Sequence, residues 1–98
     1  MSARIENIAK AVEAASECPA THLESIVVVE VFRGQTMWEG GVEIFTLHGH
    51  AKAKRAYGWK TGEGDAARYT AVLEIPPVDS PNTAVRASIV ADAKKSFV

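Results

Sequence analysis

A single cysteine, Cys18, rules out any disulfide within the 98-residue chain and suits a reducing compartment. Long apolar runs are missing too. Nothing approaches the ~20 residues of a membrane span, and the first twenty, MSARIENIAKAVEAASECPA, lack the continuous apolar stretch of a signal peptide. No charge dominates: 11 basic residues face 12 acidic ones, and a net charge of −1 offers no broad attraction to nucleic acid or an anionic membrane. The chain has no internal repeats, low-complexity tracts or domain linkers. Together these absences predict one soluble domain, residues 1–98, in the cytoplasm, with no membrane or nucleic-acid partner.

What is present is an ordinary supply of core-forming residues, 47% hydrophobic, patterned in two different periods. Ile5, Ile8, Ala9, Val12 and Ala15 recur at helical spacing, so residues 3–17 read as an amphipathic helix that Pro19 stops. Four segments then read as strands: LESIVVVEVFR (23–33), TMWEGGVEIFTLH (36–48), AKAKRAYGWK (51–60) and ARYTAVLEI (67–75). Gly34-Gln35, Gly49-His50 and TGEGDA supply the turns between them. Pro76-Pro77 ends the sheet, and Ser80 caps a second helix with Pro81 in its first position. That helix runs to about Lys95, with Lys94 and Lys95 where the helix dipole favours cations. The expected fold is α+β: a four-stranded antiparallel meander flanked by N- and C-terminal helices, α-β-β-β-β-α, with both helices on one face.

If the first two turns are tight two-residue ones, Val31 faces Trp38, Val27 faces Val42, Val42 faces Tyr57 and Ile44 faces Arg55, while Trp59 neighbours Tyr69 across the third. One face then collects Val27, Val29, Val31, Trp38, Val42, Ile44, Tyr57, Trp59, Tyr69, Ala71, Leu73 and Ile75 as a core. The opposite face carries Ile26, Val28, Phe32, Met37, Phe45 and Leu47, too apolar for water. These six are the candidate interface of a homodimer. The rival arrangement puts one helix on each face and leaves a monomer.

Several side-chain patterns invite chemistry. His48 and His50 have a metal-like His-x-His spacing, and Cys18 with His22 completes four possible ligands. The turn reading instead sends His50 to solvent, and no metal or cofactor is expected. Cys18 with His22 as nucleophile and base lacks an orienting third group. Lys52 and Lys54 alternate with Tyr57 and Trp59 onto opposite faces, which separates the charges and aromatics that a nucleic-acid strand would combine. Glu30 opposite Glu39, with Lys60 and Arg68 beyond, reads as a solvated charge row, although two facing carboxylates are also a possible acid/base pair. GEGD at 62–65 lacks the lysine and strand-to-helix context of a phosphate loop. Catalytic residues therefore cannot be named.

The strings MWEGGVEIF, HAKAKRAYGW and LEIPPVDSPNTAVRASIVADAK resemble a group of short, stand-alone, uncharacterised bacterial proteins, some carried on integron mobile gene cassettes. The likeness runs from about His22 to Lys95. It implies a bacterial, cytoplasmic, independently folded protein and carries over no residue role. The functional expectation is a non-enzymatic interaction protein acting as a homodimer, with an unidentified protein or small-molecule partner open. The alternative is small-molecule binding or simple catalysis in a pocket between sheet and helices, lined by Trp38, His48, Arg55, Tyr57 and Trp59.

Overall fold

The structure, a computed structural model, describes residues 3–96, with side chains as far as residue 92. The first helix, α1, spans Ala3–Ser16 and buries Ile8 and Val12 from its apolar stripe. It stops where Glu17 takes a left-handed φ of 56° while its N–H still reaches the Glu13 carbonyl, ahead of Pro19. Four strands follow, β1 (Ala20–Phe32), β2 (Gln35–Leu47), β3 (Arg55–Thr61) and β4 (Arg68–Leu73), paired antiparallel in the order β1-β2-β3-β4. A 3-10 turn over Gly64–Ala66 separates the last two. The second helix, α2, spans Pro81–Ser96. Ser80 caps it as its sequence implies: the Ser80 hydroxyl accepts the Thr83 N–H at 3.2 Å, and the Thr83 hydroxyl accepts the Ser80 N–H at 2.9 Å. The side chains of Lys94 and Lys95 lie outside the described residues.

The α+β meander is therefore as expected, but the helices do not share a face. On one side of the sheet α1 packs Ile8 and Val12 against Phe45, Leu47 and Ala56. On the other, Val85 and Ala84 of α2, with Val78 ahead of it, pack against Val28, Val42, Ile44, Tyr57 and Trp59. Adjacent strand residues such as Ile44 and Phe45 point to opposite faces, so both rows of β2 are buried, each under its own helix. This is the physical reason for the correction. A sheet apolar on both sides must be covered twice, and the chain has two helices to do it.

Register accounts for the remaining differences. The first hairpin turns on Arg33-Gly34, with φ of 52° and 78°, so both central residues are left-handed as a type I′ turn requires, and Phe32 pairs with Gln35. An irregularity between Glu30 and Val31 leaves Met37 as the extra residue in β2, after which Glu30 pairs with Trp38 and Ile26 with Val42. Relative to the expected Val27–Val42 pairing this is a slip of one residue, which reverses both faces of β1. Ile26 and Val28 join the core in place of Val27, Val29 and Val31, which are exposed. The second connection is the longer loop 48–54, moving Tyr57 from Val42 to Ile44, a slip of two that keeps the faces. Across the last hairpin Trp59 pairs with Thr70, so Tyr69, Ala71 and Leu73 turn to the α1 side, where the Tyr69 hydroxyl accepts from Asn7. Ile75 lies beyond β4 and is exposed.

Where α1 crosses β3 the side chains of Ile8 and Val12 sit directly on Gly58. A Cβ on Gly58 would sit 2.5 Å from Ile8 Cγ2 and 3.1 Å from Val12 Cγ2, so only glycine admits the helix at this depth. Gly58→Ala is expected to cost about 1–3 kcal/mol by overpacking. In a double-mutant cycle read by urea unfolding, Ile8→Ala should remove the clash, making the pair less destabilising than the sum of its single changes. Strict additivity would show that Gly58 does not set the depth of α1.

Candidate functional site

The sequence places five residues in a pocket between sheet and helices, and the fold brings two of them to one. Trp38 and Trp59 meet edge to face, ring centres 5.7 Å apart, at a groove of about 550 Å³ between the sheet and α2. Thr61, Arg68, Thr70, Ser88 and Asp92 supply its polar lining, and Val72 and Ile89 much of the apolar part. Tyr57 shares the sheet face but is buried, its hydroxyl donating a short hydrogen bond to Glu74. Burial first, and the neighbouring Glu74 carboxylate second, raise the phenol above its usual range and keep it protonated. Arg55 is exposed and pairs with Thr46 in the β2–β3 register. His48 is exposed at the end of β2, its Nε2 2.7 Å from the Thr21 hydroxyl. His48, Arg55 and Tyr57 therefore do not line the groove.

The other histidines also have structural partners. His50 is not directed to solvent: its Nδ1 accepts the backbone N–H groups of Lys52 and Ala53 and so closes the loop 48–54. His22 lies on the α1 face beside Phe45, its Nε2 against Glu43. Among the described residues no three His, Cys, Asp or Glu side chains gather as metal ligands. Glu30 does not face Glu39, because the one-residue slip sets it opposite Trp38. Its carboxylate instead accepts from Asn82 Nδ2 at 3.0 Å and, in a short ion pair, from Arg86 Nε, tying β1 to α2. The Asn82 and Arg86 hydrogen bonds hold its pKa below the usual carboxylate range.

Of the six apolar residues expected at an interface, four are covered by the chain itself. Val28 and Ile26 pack in the α2 core, and Phe45 and Leu47 in the α1 core. Phe32 and Met37 alone remain exposed. With Val31, Ile89 and Val90 they line a second, mostly apolar groove of about 410 Å³.

The most unusual polar group was not singled out by the sequence pattern. Glu43, midway along β2, is fully buried on the α1 face. Its Oε2 accepts from Arg4 Nη2 at 3.0 Å, and its Oε1 is 2.8 Å from His22 Nε2 and accepts a short bond from Ser25. Burial would raise its pKa, but Ser25, His22 and Arg4 outweigh it and the net shift is downward. Ser, His and Glu together invite comparison with a nucleophilic triad, and the geometry rejects it. In a triad the acid holds one imidazole nitrogen and the serine the other. Here Glu43 and Ser25, the latter at 3.4 Å, both converge on Nε2. An ionised carboxylate can only accept, so this nitrogen carries hydrogen and cannot take a proton from Ser25. The signal available in the sequence was one acid between Val42 and Ile44 in a strand otherwise apolar there.

No protein-family model, curated protein or solved structure matches the chain. Among the described residues, no helix is long and apolar enough to cross a membrane.

The Glu43 cluster sets an acid dependence. A carboxylate whose folded pKa lies below its ordinary value of 4.5 contributes stability above that value and loses it as pH falls through the folded pKa. Glu43→Gln should therefore be about 1–3 kcal/mol less stable at pH 7, the cost of weakening hydrogen bonds to a buried charge. Its stability should also fall less steeply than wild type below pH 4.5, with Glu30 supplying the remaining slope. Parallel curves in chemical unfolding from pH 7 to 3 would show that folding does not lower the Glu43 pKa.

Proposed function

We propose that the protein is a non-enzymatic interaction module of the bacterial cytoplasm and works as a homodimer. One observation carries this reading: Val31, Phe32, Met37 and Val90 form an exposed apolar surface where the first hairpin passes α2. Monomers seldom leave such surface to water. Saturation of the polar clusters supports the non-enzymatic part, since Glu43, Glu30 and Tyr57 are each engaged inside the fold. Among the described residues no buried side-chain nitrogen or oxygen lacks a partner. Sedimentation at micromolar concentration should give a mass near twice 10.5 kDa. Phe32→Glu and Met37→Glu should give folded monomers, because both positions are exposed, whereas Phe45→Glu should unfold the chain. A wild-type mass of one chain would remove the proposal.

The Trp38–Trp59 groove favours a second reading, the binding of a small planar molecule. Its volume suits a ligand of drug size, and Arg68 and Asp92 place one charge of each sign beside apolar walls. Both tryptophans of the chain line it, which makes indole emission a direct reporter. Anilinonaphthalene sulfonate should quench that emission saturably, and Arg68→Ala should weaken the response about five-fold, as expected for one lost charge-assisted contact. Emission unaffected by the probe would dismiss the groove as a site.

A further inference from the structure

The sheet's two edges are treated very differently. β4 is a short edge strand, Arg68–Leu73, lying against α1 and followed by Pro76-Pro77. β1 is the longer edge strand, Ala20–Phe32, and contains no lysine, arginine or proline. Short length, charged residues, proline, bulges and a covering element are the usual means of keeping an edge from pairing with another chain. β1 has Glu24, Glu30 and an irregularity at His22/Glu24, but between the two acids it is regular and uncharged, and on its α1-side face Val27 is 76% and Val29 43% exposed, because α1 packs chiefly over β3 and β4.

We infer that two copies of this chain join β1 to β1 antiparallel, about a twofold axis through Val28, into one continuous eight-stranded sheet. The inference rests on the homodimer reading and names its interface. A twofold perpendicular to the sheet keeps each face with its like, so the residues that oppose each other share a face and the axis passes through a residue. Three centres along the valine run are available. An axis at Val27 sets Glu24 against Glu30 twice, and directly opposed like charges are destabilising. An axis at Val29 draws most of its pairs from Val31 and Phe32, past the irregularity at Glu30/Val31. An axis at Val28 sets Val27 against the partner's Val29 and Ile26 against the partner's Glu30, inside the uninterrupted stretch from Glu24 to Glu30.

The same axis puts both α2 helices on one side of the joined sheet, beside the seam. The exposed Val31, Phe32, Met37 and Val90 then flank the paired strands. With Val27 and Val29 they offer several hundred Å² of apolar surface, the order of the ~800 Å² per partner that a standard stable interface buries. Backbone pairing supplies direction and register, and the flanking side chains supply area.

Cysteine crosslinking reads the register directly. In a Cys18→Ser background, Val27→Cys, Val29→Cys and the double variant are oxidised at a concentration where sedimentation reports the dimer. Opposed strand residues fall within the ~4.4–6.8 Å Cα separation that a disulfide spans, and diagonal ones at ~7–8 Å do not. The double variant should crosslink between chains and neither single variant should. Crosslinking by either single variant overturns the Val28 axis. A dimer that crosslinks in none of the three overturns edge pairing while leaving self-association intact. A chain that sediments as a monomer overturns both. Hydrogen exchange of wild type gives an independent check: β1 amides should gain protection on going from dilute to concentrated protein, and unchanged exchange in the dimer would also overturn edge pairing.

Discussion

Strand alternation along β2 is the constraint on which the rest of this fold depends. Val42 and Ile44 point one way and Phe45 and Leu47 the other, and all four are buried. A strand with two apolar rows can lie only in the middle of a three-layer stack. From that follow the separation of α1 and α2 onto opposite faces and the use of glycine at position 58, where one of those layers comes too close for any side chain. It also follows that a polar residue in this segment is cut off from water and must find its partners within the protein.

Glu43 meets that demand by drawing on α1 and β1 together, through Arg4, His22 and Ser25. Glu30 does the same toward α2, through Asn82 and Arg86. Each helix is thus held to the sheet by apolar packing plus one acid that accepts hydrogen bonds from it. Paired charges of this kind do not readily add net stability over a well-packed apolar pair. Their contribution is positional, since a carboxylate that must receive Arg4 fixes how α1 is rotated in a way that Ile8 and Val12 alone do not.

Much of this architecture was legible in the sequence. The elements, their order, the antiparallel meander and the Ser80 cap follow from periodicity and turn chemistry, and Trp38, Val42, Ile44, Tyr57 and Trp59 do share a face. Their common side survived because the error in the second loop was an even number of residues. Where the slip was odd, the faces inverted. Gly34 can serve as the first or the second residue of a two-residue turn, and the choice moves the pairing by two, which keeps the faces; nothing local in RGQ marks Arg33 as the left-handed partner. Met37 then adds one extra residue in β2, which makes the net slip odd and inverts β1, and no alternation pattern reveals it. The Trp38–Trp59 contact was within reach of the pattern, and the groove above it depends on where α2 lies. Glu43 was passed over because a single acid in a strand ordinarily marks an outward position. That its side is covered depends on the placement of α1, which is a tertiary fact.

The placement of α1 also bears on how the chain reaches this state during synthesis. α1 leaves the ribosome before the strands it covers, and those are chiefly β3 and β4, the last two made. The β1–β2 hairpin has its turn and its register close at hand and can form at once, whereas Ile8 and Val12 have no docking surface until β3 and β4 have emerged. For that interval the nascent chain carries an apolar helix stripe and a half-covered sheet, the kind of surface that chaperones bind and that aggregates when synthesis outpaces folding. Slow decoding between the first hairpin and β4 would lengthen the exposure. The middle-layer sheet, which excludes water so fully once complete, thus makes the order of translation matter for this small protein.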